Sequence, residues 1–233
     1  MKNIKTLILI CLLGCVVTTV SAQTYPFRFG VKAGLNLSTA EVDDAADSKF
    51  RAGYNVGVTV DYLLPRNFMI QSGLLFTAKG SKQEKLNGSD WIPSSPDMTH
   101  TFNQLYLEIP VYAAYKIGVS RDMGIVVGAG PYVAYGLGGK TKQKFHNTTS
   151  SDSEYKWDTF GDGIYDDDRD HLRGETLNRF DFGGNIKVDL EYYKYVWGVG
   201  VSSSIINIRN KDNTYEDMKY RNFNIDISLG YKF

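Results

Sequence analysis

The feature that most constrains this chain is a strict alternation of apolar and polar residues that recurs along most of its length. In 27–37, FRFGVKAGLNL, Phe27, Phe29, Val31, Ala33, Leu35 and Leu37 share one face, and Arg28, Gly30, Lys32, Gly34 and Asn36 share the other. In 52–62, AGYNVGVTVDY, Tyr54, Val56, Val58, Val60 and Tyr62 oppose Gly53, Asn55, Gly57, Thr59 and Asp61. A period of two is the period of a strand with different environments on its two faces, and no helix satisfies it. The same pattern returns at 68–79, 105–116, 123–138, 180–192, 195–209 and 221–233, which predicts eight strands of 11 to 16 residues. Globular strands are nearer five or six residues, whereas a tilted strand crossing a bilayer needs about 9–11.

The connections alternate in length. Gaps near 63–67, 117–122 and 193–194 are tight, and those at 38–51, 80–104, 139–179 and 210–220 are long and polar. Short–long alternation puts all tight turns at one end, as in an up-and-down antiparallel meander. The expected fold is therefore an all-β, eight-stranded antiparallel up-and-down transmembrane β-barrel with short periplasmic turns and long extracellular loops. A soluble periplasmic lipocalin-like barrel has the same topology but an apolar interior. Three features favour the membrane version.

The polar face carries carboxylates at Asp61, Glu108, Asp181, Asp189, Glu191 and Asp226, and cations at Arg28, Lys32, Lys79, Lys116, Lys187 and Lys232. Six against six can pair inside a narrow lumen, where unpaired charge is costly. Aromatic residues gather at both ends of the apolar face. Phe27, Phe29, Tyr62, Phe68, Tyr115, Tyr192, Tyr195, Trp197 and Tyr231 mark the turn end, and Tyr54, Phe76, Tyr135, Phe180 and Phe223 the loop end. Two such bands are the aromatic girdles of a barrel in lipid. The last segment places Ile225, Ile227, Leu229, Tyr231 and Phe233 on one face. It suits a strand that closes on the first, and Tyr231 and Phe233 are similar to the C-terminal signal read by barrel-assembly machinery.

The first 22 residues read as a secretory signal peptide. Lys2 and Lys5 precede an apolar core, TLILICLLGCVVTTV, and Val20-Ser21-Ala22 is a small-residue cleavage site. Residues 23–233 form the expected barrel domain. Without the signal, 24 basic residues face 26 acidic ones, which gives no electrostatic case for nucleic acid. Both cysteines, Cys11 and Cys15, leave with the signal, so neither a disulfide nor a thiolate site is expected.

YLEIPVYAAY at 106–115, QSGLLFTAKG at 71–80, GAGPYVAYGLGGK at 128–140 and FDFGGNIKVDLEY at 180–192 resemble the PorT-like outer-membrane β-barrel domain of Gram-negative bacteria. The resemblance covers the strands and not the long loops. It implies a small barrel in the outer membrane without implying one activity; one branch of the family is linked to a secretion system.

Few residues suggest chemistry. In WDTFGDGIYDDDRD at 157–170, Asp158, Asp162 and Asp166 echo a calcium loop, but Phe160 replaces one ligand and Arg169 stands where a closing Glu belongs. A loose Ca2+ site in loop 139–179 is one reading, and a solvated acidic loop neutralised by Arg169 and Arg173 is the other. The three histidines, His100, His146 and His171, fall in long loops and read as exposed. No nucleophile–base arrangement is evident, so no enzyme activity and no other cofactor are expected. Glu108 reads as the acceptor for an interior cation, and Pro110, lacking an amide donor, predicts a bulge or a break in pairing. Expected partners are outer-membrane lipid, the barrel-assembly machinery and a surface partner of unknown identity, with the chain a monomer. Expected roles are structural or surface-interacting, or service in a secretion or envelope-assembly machine. Eight strands leave an interior just wide enough for side chains, which disfavours a general porin.

Overall fold

The computed structural model describes residues 26–42, 48–85, 97–146, 153–160, 176–209 and 219–233. Eight long strands form the barrel wall: β1 (Phe27–Val42), β3 (Arg51–Leu63), β4 (Phe68–Lys85), β5 (Asp97–Gly118), β6 (Met123–Gly138), β9 (Phe180–Tyr192), β10 (Tyr195–Ser204) and β11 (Tyr220–Lys232). Each pairs antiparallel with its neighbours, and β11 returns to β1, with Val31 opposite Tyr231 and Leu37 opposite Ile225. The ring is closed, so these strands leave no unpaired edge within the wall.

Alternation of burial follows the alternation of sequence. Along β10, odd residues from Tyr195 to Ser203 are exposed, and even residues from Val196 to Ser204 are buried. Apolar side chains point outward: Leu35 is 74% exposed and Ile227 66%. Polar ones point inward, with Asp61, Asp181 and Ser38 fully buried. This is the opposite of a lipocalin, whose apolar side faces its lumen.

The tight turns lie together at one end. The turn between β3 and β4 is a short 3-10 segment, Pro65–Asn67, with Arg66 and Asn67 at positive φ. At the same end outward aromatic rings pack in pairs: Phe27 with Tyr62 and Phe68 with Tyr115 at 5.0 Å, and Tyr195 with Tyr231 and Tyr231 with Phe233 at 5.5 Å.

Several expectations need correction at the loop end. Segment 195–209 is a strand only to Ser204. Beyond it the chain turns inward, burying Ile208, whose amide donates to the Tyr220 carbonyl. Segments 68–79 and 105–116 extend to Lys85 and back to Asp97. Their extra length pairs Lys79 through Lys85 with Gln104 through Met98, a two-stranded ribbon that rises past the membrane belt. Stretch 139–179 is not simply a loop. It contains a hairpin, β7 (Lys140–His146) and β8 (Ser153–Asp158), and β7 adds to β5. A two-residue strand, β2 (Ser48–Lys49), adds to β4. His100 accordingly sits in β5, half-buried, with its ring 6.4 Å from that of Trp157, and not in an exposed loop.

Pro110 does interrupt pairing. The β4–β5 ladder runs from Ser72 opposite Val111 directly to Leu75 opposite Glu108, skipping the positions of Pro110 and Ile109 without a register change. The register shift in β5–β6 lies elsewhere, at Leu105/Tyr106.

Candidate functional site

The inward faces fill the barrel in layers. At the turn end, Arg28 of β1 donates to both Asp61 and Glu191, and Lys116 and Lys232 each add a 2.7–2.8 Å contact, to Glu191 and Asp61 respectively. Gln71 donates its amide to Asp61. Two carboxylates and three cations from β1, β3, β5, β9 and β11 thus cross-link strands that are distant in sequence. Met69, Ala114 and Val126 form a small apolar patch in the same region.

One layer up, Lys32 pairs with Asp226 at 3.1 Å and Lys187 with Asp189 at 2.7 Å, while Lys187 also lies over the Tyr112 ring. Space for the Asp189 carboxylate exists because Gly198 faces it: a Cβ there would lie 2.4 Å from Asp189 Oδ1. Two cavities open around Tyr112. They share Lys32 and Leu75 and have room for about one or two waters each. Neither admits a sugar or an amino acid.

In the upper half, Lys79 is almost fully buried between Glu108, 2.7 Å away, and the Tyr132 ring, whose centroid is 4.5 Å from the ammonium. Asp181 meets neutral donors: Ser204 at 2.7 Å, Asn222 at 3.1 Å and Tyr132 at 3.3 Å. It departs in this from the ion pairing expected of the inward carboxylates, its hydrogen bonds coming from hydroxyl and amide groups. Above it the Tyr220 hydroxyl contacts Ser81 and accepts from Gln104.

An apolar cap closes the loop end. Phe102, Tyr106, Tyr132 and Tyr220 from the strands meet Phe160, Leu177 and Ile208 from the connections. The Phe160 ring lies edge-on to Tyr106 at 5.3 Å and rests on Gly136, where an added Cβ would come within 2.7 Å of it. Leu177 donates its amide to the Thr159 carbonyl, and Asn178 to that of Ile208, tying the cap segments together.

Residues 21–205 match the outer membrane protein beta-barrel domain. The chain belongs to this outer-membrane β-barrel family. Membership and the closed barrel agree: the chain is an outer-membrane β-barrel protein. No match was found among curated proteins. Similar solved structures include Neisserial surface protein A, 12% identical over 88% of this chain and 97% of that one, with a TM-score of 0.39. They also include Ail of Yersinia pestis, 10% identical over 88% and 98%, TM-score 0.37, and OprG of Pseudomonas aeruginosa, 11% identical over 90% and 97%, TM-score 0.40.

Lys32, Asp61, Lys79, Glu108, Asp181, Lys187, Asp189, Glu191 and Asp226 all face the lumen and group into the layers above. Of the three aspartates read as a calcium echo, Asp158 lies among the described residues; it is exposed and pairs with Lys140 at 3.0 Å. Asp162 and Asp166 lie outside them, as do His171 and residues 1–22. Among the described residues no cluster of three His, Cys, Asp or Glu is placed to hold a metal. Phe160, read as a missing ligand, is a cap residue. The buried tyrosines Tyr106, Tyr132 and Tyr220 were not singled out, although Tyr106 stands two residues from Glu108 and so shares its face.

Proposed function

We propose that this outer-membrane barrel is a PorT-like, non-enzymatic protein whose lumen is closed and whose work is structural or done at its surface. One observation carries the reading: among the described residues the interior holds ion pairs, hydrogen-bonded tyrosines and an apolar cap, and the two cavities around Tyr112 are water-sized. A general porin needs a continuous aqueous path, which a charge-paired and capped lumen of eight strands does not leave. Catalysis needs a nucleophile or base exposed to substrate, whereas the lumenal carboxylates among the described residues are engaged by cations or by hydroxyl and amide donors.

On the same reading, residues 1–22 are a cleaved signal, Tyr231 and Phe233 engage the assembly machinery, and the barrel sits in outer-membrane lipid as a monomer. The aromatic pairs at the turn end support the lipid contact, because amphipathic rings favour the interface. Any calcium would bind weakly at the 139–179 connection. Liposome swelling with protein refolded into vesicles tests the closed lumen. The expected result is no sugar flux above empty vesicles. Rapid flux of a monosaccharide would overturn it.

A further inference from the structure

Two prolines stand on neighbouring strands within the lipid belt, Pro110 on β5 and Pro131 on β6. A backbone acceptor left without a donor is costly there, because lipid supplies none. Bonding parity along each strand shows what each proline withholds. The Leu64 amide donates to the Phe68 carbonyl, so even positions of β4 bond towards β3 and odd ones, Gly73 among them, towards β5. Ser72 lies opposite Val111, so Gly73 falls opposite Pro110. Proline has no amide hydrogen, and the ladder therefore gives the Gly73 carbonyl no donor. On the other side of β5 the Val119 amide donates to the Met123 carbonyl, and by the same parity Pro131 withholds a donor from Val111. The β4–β5 ladder lapses at Ile109 and Pro110, and the β5–β6 ladder at Val111 and Tyr112.

The outer side of the Pro110 break is closed by protein: the Ser72 hydroxyl donates to the Pro110 carbonyl at 2.9 Å. The inner side opens on the turn-ward of the two cavities beside Tyr112, which Gly73 and Pro110 line together with Thr59 and Gln71. Gly73 has no side chain to cover its carbonyl from the lumen. Gln71 is buried and gives its amide to Asp61, while its Oε1 atom has no hydrogen-bond partner among the described residues. Two residues with an acceptor in want of a donor thus border one water-sized space. Thr59 supplies the complement. Its hydroxyl accepts from Lys232 at 3.2 Å, which leaves its own hydrogen to give.

We propose that this cavity binds a water molecule that takes the place of the missing Pro110 amide, donating to the Gly73 carbonyl and to Gln71 Oε1 and accepting from the Thr59 hydroxyl. Three hydrogen bonds are the usual complement of a buried water. Charge and polarity select a neutral donor. Lys32, Lys187 and Lys232 also line the space, so a metal ion would sit among three ammonium groups. An anion would bring lone pairs to oxygens that already lack donors, beside the Asp61 carboxylate. The inference goes beyond a closed lumen: one polar atom of the wall is satisfied from inside the barrel, and not by a neighbouring strand. The Val111 carbonyl has a different answer. It leans onto Gly130, where an added Cβ would overlap it, and neither cavity around Tyr112 includes Val111 or Pro131.

The test reads contact with water by proton NMR on the full, isotope-labelled chain refolded into dodecylphosphocholine micelles. The expected result is a rotating-frame cross-peak from water to the Gly73 amide and to the Gln71 side-chain amide, with the sign of dipolar contact and not of exchange. Pro110→Ala restores the ladder donor. It should cut the Gly73 cross-peak by at least half, and the new amide at position 110 should exchange within tenfold of the rate at Ala113. Pro131→Ala should leave the Gly73 cross-peak whole. Where Pro110→Ala gives no compact gel band, Thr59→Val should halve the cross-peak and Thr59→Ser should keep it. The absence of a dipolar cross-peak in the parent chain overturns the proposal, as does an undiminished one in a folded Pro110→Ala or Thr59→Val chain. A freely exchanging amide at position 110 overturns it too, because the Gly73 carbonyl would then not face that position. So does a Gly73 or Gln71 resonance that shifts to saturation with added sodium or bromide, which would assign the space to an ion.

Discussion

At the scale of the residue, the most exacting position is Lys79, whose ammonium is sealed between Glu108 and Tyr132. Removing one partner of a buried pair strands the other charge, which costs about 3–5 kcal/mol, whereas replacing both with apolar residues is often neutral. Glu108→Gln should therefore lower the free energy of unfolding from vesicles, read from urea titration, by an amount in that range, and Lys79→Met with Glu108→Leu should restore most of it. A double variant less stable than the single one would show that the pair is not coupled as described. Phe160 makes a second test. Replacing it with Ala removes the ring that bridges Tyr106 and Gly136, and Gly136→Leu evicts the same ring by occupying its seat. Both should leave the compact gel band intact while raising amide exchange at Thr159 and Leu177 by at least tenfold. That Glu108 faces inward is legible from its place in the alternation. That its partner is Lys79 is not, because register between β4 and β5 decides which inward cation stands beside it.

Among the elements, the β7–β8 hairpin carries the weakest sequence signal. Its strands, KTKQKFH and SEYKWD, alternate as the barrel strands do, but the inward side uses Thr141, Gln143, Tyr155 and Trp157, and the outward side is charged. A strand that leaves the lipid belt exchanges its apolar outer face for a charged one, so the hydropathy signal fades while the strand continues. β5 shows the same fading: Leu105, Leu107 and Ile109 are outward within the belt, and Thr99, Thr101 and Asn103 beyond it. β6 and β9, confined to the belt, match their expected limits to the residue. The hairpin also carries a pH dependence. Hydrogen bonds from Lys156 and Lys144 hold the Glu154 carboxyl below the ordinary carboxylate range. A depressed value in the folded state means the contribution is present above the ordinary Glu value of about 4.3 and is lost as pH falls through the lower one. Protection of the Lys142–Lys144 and Glu154–Lys156 amides, corrected for intrinsic exchange, should fall in that acid range. Glu154→Gln should abolish the step.

For the whole molecule, closure is the governing fact. Strands β1 and β11, the farthest apart in sequence, must find each other in register, and the turn-end rings Tyr195, Tyr231 and Phe233 pack as they do. Tyr231→Ala with Phe233→Ala should slow insertion into vesicles several-fold, measured as growth of the compact band with time. An unchanged rate would remove these rings from the assembly step. The eight-fold count was legible because each strand repeats the alternation, and the orientation of the faces because charges crowd one face and aromatic residues the ends of the other. The cap was not, since it depends on connections folding back over a mouth that no local pattern announces.

The ring of the barrel has no front or back, but the wall above it does. Among the described residues, β4, β5, β7 and β8 stand tall on one side, while β10 stops at Ser204 and β11 begins only at Tyr220. Among the described residues their rise ends in β8, on which Glu154, Lys156 and Asp158 alternate in sign, a pattern that discourages a further strand from adding. A molecule with a full circle of symmetry in the plane of the membrane therefore acquires a compass bearing at the cell surface. Neighbours that drift against the high flank meet a charged screen.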